Sequence, residues 1–332
     1  MRMIHIDSYD YDTMQLAKPV YDSRRRILLA AGRSIHPTYL QKIKELNIRS
    51  LIVEDAESAG ITLDEMLDMP TWMDAIKLVE EVYTEVKRNK SISQITVKRI
   101  QEFVGKLLME VRNRPIIVLI PSTALTPELI PYAHAVNVAL LSVQVGTKLN
   151  YNMIQLRDLA IGALLHDIGK VIGNEENHPT EGFELLRKTR ELKVLTTHVA
   201  FQHHESLDGS GYPRRIRGEE FLEVGQIGGI ANLYENLISK EKYPPHLAME
   251  MIMTKSENTY SHAVVQAFCN GVPTYPPGTK VKLNNGQVGI VYKIDQNLHR
   301  PTVRILSTME EISLADQPTL MIQEVDQSIE TV

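Results

Sequence analysis

Leu164-Leu165-His166-Asp167-Ile168-Gly169-Lys170 closes a strongly apolar segment that begins near Leu156, and the rest of the chain is read outward from it. Apolar residues at helical spacing followed by glycine predict a helix C-terminus, with Gly169 at the positive φ that such ends often need. Adjacent His and Asp at that end would project side by side into one cavity. A buried carboxylate without a counter-ion is costly, so a metal cation is its simplest partner. A His-Asp dipeptide alone is common by chance; its surroundings give it weight.

Two histidine-bearing segments follow. Asn177-His178-Pro179-Thr180-Glu181-Gly182 reads as a loop that opens a helix with proline in its first turn. In Phe201-Gln202-His203-His204-Glu205-Ser206-Leu207-Asp208-Gly209-Ser210-Gly211-Tyr212-Pro213, two histidines end a helix and run into a glycine-rich loop. Upstream, His134 shares a helical face with Val138, Leu141 and Val145 and so points inward. Six of the chain's 11 histidines fall between His134 and His204. Histidine is the commonest neutral ligand of transition metals, and carboxylates can bridge two of them.

Further outward the pattern changes twice. Ala17–Tyr21 and Ile27–Ala30 flank Asp22-Ser23-Arg24 as strand–turn–strand, Thr38–Leu46 is a short amphipathic helix, and Ser50–Val53 an apolar strand. Trp72, Ile76, Val79, Tyr83 and Val86 set a helical period that resumes over Ile95–Val111, and helices dominate from Tyr132 to about Phe268. After Pro276-Pro277-Gly278, strands are expected at Val281–Leu283, Gly289–Tyr292, Thr302–Leu306 and Thr319–Ile322, with Asn284-Asn285-Gly286 as a hairpin turn. The fold class is therefore mainly α. The expected divisions are a small α/β or β-rich N-terminal module at 1–60, a helical linker region at 61–120, a helical domain at 121–275 and a β-rich C-terminal extension at 276–332.

Composition narrows the function. The 332 residues are 43% hydrophobic and 23% charged, which excludes a largely disordered chain. A single cysteine, Cys269, excludes an intramolecular disulfide framework and thiolate-rich metal sites. The net charge of −5 and 6% aromatic content argue against a nucleic-acid polymer as partner. No apolar run approaches the ~18–20 residues that span a bilayer. Met1-Arg2-Met3-Ile4-His5 has no signal-peptide core and is followed by Asp7, Asp10 and Asp12, so a soluble cytoplasmic protein without membrane contact is expected.

Taken together, His166-Asp167 with Gly169-Lys170, the His178-Pro179 turn, and His203-His204-Glu205 with Asp208-Gly209 and Gly211-Tyr212-Pro213 resemble the HD-GYP domain, a branch of the HD hydrolase superfamily. The resemblance covers about residues 125–275 and extends into Tyr275-Pro276-Pro277-Gly278-Thr279. It implies a helical HD-type domain that binds two divalent metal ions, iron or manganese, and hydrolyses cyclic di-GMP to linear pGpG and on to GMP. Carried over by motif, His134, His166, Asp167, His178, His203 and His204 are metal ligands, with Asp167 the bridging carboxylate. Asp167 and Lys170 are the catalytic pair. Lys170, Asp208, Gly211, Tyr212, Pro213 and Arg215 face the substrate. Signalling-protein partners and a homodimer also belong to what the resemblance implies.

Three departures bear on activity. Where the family usually has an Asp that completes the first metal site, this chain has Asn232, within Ile230-Ala231-Asn232-Leu233-Tyr234-Glu235-Asn236. Ile130 stands where three-metal members carry a Glu, and Glu128 is out of register, so a third metal is not expected. The segment between His166 and His178 is shorter than is usual in the family. These departures leave two other readings beside the phosphodiesterase. One is a catalytically degenerate member serving as a cyclic di-GMP sensor or protein-interaction module. The other is a metal phosphohydrolase acting on another nucleotide.

Overall fold

The computed structural model describes residues 1–63, 67–111, 114, 116, 118–295 and 297–325. The chain opens with β1 (Arg2–His5), β2 (Gln15–Leu16), β3 (Val20–Tyr21), β4 (Ile27–Leu29), α1 (Pro37–Glu45) and β5 (Ser50–Glu54). β5 lies between β1 and β2, antiparallel to both, while β3 and β4 form a separate hairpin. Asp22 builds that hairpin's turn, its Oδ1 accepting from the Arg24 and Arg26 amides at 2.8 Å each. Ile4, Leu16, Ile43, Leu51 and Val53 close a small core beneath α1.

The helical body follows: α2 (Met69–Asn89), α3 (Gln94–Val111), α4 (Ile130–Lys148), α5 (Met153–Leu164), α6 (His178–Arg187), α7 (Val194–Gln202), α8 (Glu223–Ser239), α9 (Pro245–Met253) and α10 (His262–Cys269). Asp68 caps α2 through the Thr71 amide, and Asn152 with Gln155 closes a capping box on α5. Every residue of α4 from Ala133 to Gly146 is buried, so it is the central helix, mostly apolar on every side because other helices cover it. It packs on α2, α5, α8 and α10, while α7 lies against α5, α6 and α8. Residues of α2 and α3 share one continuous core with the later helices. No helix among the described residues is long and apolar enough to cross a membrane.

The C-terminal part is an antiparallel sheet of β6 (Lys280–Leu283), β7 (Val288–Lys293), β8 (Thr302–Ile305), β9 (Glu311–Ser313) and β10 (Ile322–Val325), in the order β10-β6-β7-β8-β9. Gly286 takes φ 85° in the Asn284-Asn285-Gly286 turn, as the hairpin signal requires. The mainly α class with β-rich ends is what the sequence leads one to expect, but four strands differ. β1, β2 and β9 are not among the expected strands, and the last strand lies at Ile322–Val325 rather than Thr319–Ile322. Arg300 explains the shift: its Nη2 donates to the carbonyls of Gln317 and Leu320 at 3.1 and 2.8 Å, holding that stretch out of the ladder.

The two β-rich parts touch. Lys280 Nζ lies 2.5 Å from Glu57, which within the N-terminal part also stands 3.6 Å from Arg2, itself paired with Asp55 at 2.8 Å. Arg304, on β8, donates to the Ala59 carbonyl at 2.5 Å. Gly278 has φ 89°, and a Cβ there would stand 2.8 Å from that of Arg2, so the entry to the C-terminal sheet runs hard against β1.

Candidate metal centre

The side chains of interest sit mostly at helix ends. His134 lies one turn into α4, His166 and Asp167 follow the last turn of α5, His178 opens α6, and His203 caps α7 with His204 beside it. Three rings are oriented by one local device. His166 Nδ1 is 2.8 Å from the Ala163 carbonyl, His178 Nδ1 2.7 Å from that of Glu175, and His203 Nδ1 2.9 Å from that of Ala200. A carbonyl only accepts, so each Nδ1 carries the proton and each Nε2 turns its lone pair inward.

Those nitrogens meet at Asp167. Its Oδ1 is 3.3 Å from His178 Nε2, 3.5 Å from His166 Nε2 and 3.6 Å from His203 Nε2, and its Oδ2 is 3.9 Å from His134 Nε2. Two groups result, His134–His166–Asp167 and His178–His203–His204, each with ligand atoms within 4.8 Å of one another. Burial pushes the pKa values of His166, His203 and His204 down, keeping these imidazoles in the neutral form that binds metal. Burial opposes ionisation of Asp167, but the imidazoles of His166, His178 and His203 grouped around it outweigh that and hold the carboxyl well below its usual range.

The donor set fits divalent cations. His166 Nε2 and Asp167 Oδ1 are buried without hydrogen-bond partners. His178 Nε2 and His203 Nε2 face each other at 3.2 Å, and with both protons on Nδ1 this sets two lone pairs against each other. A cation relieves both defects. Ile130 opens α4 one turn before His134, and Glu128 is exposed.

Lys170 stands in the single 3-10 turn Ile168–Val171 between the two groups, its Nζ 2.8 Å from Asp167 Oδ2 and 3.2 Å from Glu175. Burial lowers its pKa, but the two carboxylates prevail and raise it, so it stays an ammonium. Gly169, in the same turn, is not at positive φ as expected. Its requirement is space: a Cβ there would strike the His178 carbonyl, so only glycine lets this turn press on α6.

The Gly211-Tyr212-Pro213 loop reaches the same place. Tyr212 stacks on His204 with ring centroids 4.5 Å apart and an interplanar angle of 14°, and its amide donates to the His204 carbonyl at 3.0 Å. Buried Glu205 holds the loop, accepting from the Arg214 and Ile216 amides at 2.7 and 3.2 Å, and a Cβ on Gly211 would strike the Glu205 backbone. The Tyr212–Pro213 peptide is cis. Asp208 does not turn toward the histidines: its carboxylate accepts from the Ser210 amide and hydroxyl, which lowers its pKa to about 2. Arg215 is exposed, at φ 54°.

Asn232, on α8, is buried, and its Oδ1 accepts from Asn236 Nδ2 at 2.9 Å. It lines one cavity of about 450 Å³ with His203, His204 and Gly211. One turn further stands a residue that the sequence reading missed. Glu235 is buried, and its Oε2 lies 2.5 Å from His134 Nδ1 while Ser239 donates to Oε1 at 2.6 Å. It orients the fourth histidine as the carbonyls orient the other three. Its spacing of three from Asn232 was the available signal, since that places both on one helical face.

Residues 132–242, which hold the whole cluster, match the family model described as HD domain. Among known proteins, the chain is 28% identical over 195 residues to a cyclic di-GMP phosphodiesterase of Pseudomonas aeruginosa, covering 52% of this chain and 47% of the relative. It is 30% identical over 159 residues to a cyclic di-GMP phosphodiesterase of Thermotoga maritima, covering 41% and 43%. The match thus spans less than half the length of these relatives. Among solved structures, an HDG"Y"P protein from Bdellovibrio bacteriovorus has a like fold, with a TM-score of 0.50 and 18% identity over 80% of this chain and 97% of that one.

Proposed function

We propose that this chain is a metal-dependent phosphodiesterase that hydrolyses cyclic di-GMP to linear pGpG. The observation that carries the reading is Asp167, a single carboxylate shared between two groups of metal-type ligands. The activity for which the Pseudomonas and Thermotoga relatives are named supports the same substrate. Two divalent ions, iron or manganese, held by His134, His166 and Asp167 on one side and by His178, His203 and His204 on the other, would supply the charge that lowers the pKa of water and neutralises a phosphodiester. The remaining work falls to the chain. Lys170 offers a positioned ammonium to a phosphate oxygen or to the departing alkoxide. Tyr212, fixed on His204, gives a base a flat surface.

The test is metal analysis of anaerobically purified protein paired with a cyclic di-GMP hydrolysis assay, the products being resolved as pGpG or GMP. About two metal ions per chain with cleavage is the expected result; absence of cleavage at saturating metal overturns it. One observation favours a second reading, a sensor without turnover: Asn232 brings an amide, already bonded to Asn236, where a charge would tighten a cation. Asn232→Asp preserves the acceptor and adds that charge. Under the enzyme reading it raises activity at limiting Mn²⁺ or Fe²⁺. If neither protein cleaves at saturating metal while both bind the nucleotide, the sensor reading stands.

A further inference from the structure

The cavity beside Asn232 holds more than ligands. Its volume of about 450 Å³ falls within the range of small-molecule sites. Lys240, just past the end of α8, and Lys255, after α9, both line it. Among the described residues neither ammonium has an ion-pair partner, although Lys255 is half-buried. Two carboxylates share the cavity. Glu205 spends both oxygens on the amides of Arg214 and Ile216, while Glu241 is exposed beside Lys240. Asn236 also lines the wall, and its Oδ1 is buried with no hydrogen-bond partner. Lys170 is not among the lining residues; its ammonium is bound to Asp167 and Glu175.

We propose that Lys240 and Lys255 form a second anion subsite that holds the phosphodiester not being cleaved, with the amide oxygen of Asn236 left to accept from a base N–H. The inference rests on the cyclic di-GMP reading above and adds to it which residues take the other half of the ligand. A cyclic dinucleotide carries two negative phosphodiesters on opposite sides of its ring. With one at the histidines and Lys170, the other needs cationic groups in the adjoining space. The ammonium groups of half-buried Lys255 and exposed Lys240, which have no ion-pair partner among the described residues, supply them, with water screening Lys255 less than Lys240.

Equilibrium binding of cyclic di-GMP to the full chain, with its metal in place, tests this. Lys240→Gln and Lys255→Gln should each weaken affinity about tenfold and the double variant about 100-fold, the scale of a lost charge-assisted hydrogen bond. Metal content and melting temperature should not change. Lys240→Arg with Lys255→Arg should restore binding to within about threefold, and Glu241→Gln should tighten it a few-fold. Weaker binding by the double Gln variant together with rescue by the Arg pair establishes the subsite. If the wild type binds and the double Gln variant binds equally well, the subsite is overturned and the substrate reading is untouched. If the wild type does not bind cyclic di-GMP at all, both fall.

Discussion

At the scale of single residues, the centre depends on how its imidazoles are aimed. Three use a carbonyl three residues back, a device any helix end offers, and so no particular sequence is needed to mark it. His134 sits inside a helix whose carbonyls are already engaged, and it needs Glu235 instead. Burial works against the charge of Glu235, but His134, Ser239 and Asn137 outweigh it and keep its pKa below the ordinary value. Glu235→Ala should therefore raise the metal concentration for half-occupancy about 10–100-fold, measured by titration into apoprotein, as for other residues that orient a ligand. Lys170→Ala should do the reverse, leaving metal content nearly intact while turnover of cyclic di-GMP falls about 10²-fold. Loss of metal in that variant would make Lys170 a structural residue.

At the scale of elements, the sequence was most informative where a pattern repeats. The helical period brought out α2, α3 and the body, and the turn chemistry of Asp22 and Asn284-Asn285-Gly286 placed two hairpins. All six ligand-type side chains named from the sequence converge, because helix-end motifs carry their own geometry. Short strands were harder to read. β1 places Arg2 at a buried position, tolerable only because Asp55 lies opposite, and the charge masked the alternation. β9 has one inward residue, Ile312. Gly169 was legible as a constraint but not as the right one, since a close approach between a turn and α6 depends on residues far along the chain. Gly169→Ala should push that turn off α6, costing about 1–3 kcal/mol. It should separate His166 and Asp167 from His178, lowering both the melting temperature and metal content. Unchanged metal binding would show that the turn can shift freely.

At the scale of the molecule, acid stability of the N-terminal part rests on one pair beside its contact with the C-terminal sheet. Burial raises the pKa of Asp55, but its bonds to Ser58 and Arg2 dominate and leave it below the ordinary value. A carboxyl depressed in the folded state contributes stability that is complete above its unfolded pKa, near ~4, and fades as pH falls through the lower folded value. Asp55→Asn should thus lower stability at pH 7 by about 1.5–3 kcal/mol in urea unfolding, and the gap to wild type should narrow toward pH 3. A gap that stays constant with pH would mean that the charge on Asp55 does not matter.

The contacts of Glu57 with Lys280 and of Ala59 with Arg304 join positions more than 200 residues apart. With them in place the polypeptide is a ring, closed by side chains rather than by a peptide bond. A ring can be opened anywhere once without coming apart. A nick in the exposed Lys90–Ser91 turn between α2 and α3 would leave two pieces still joined at this closure and across the shared helical core.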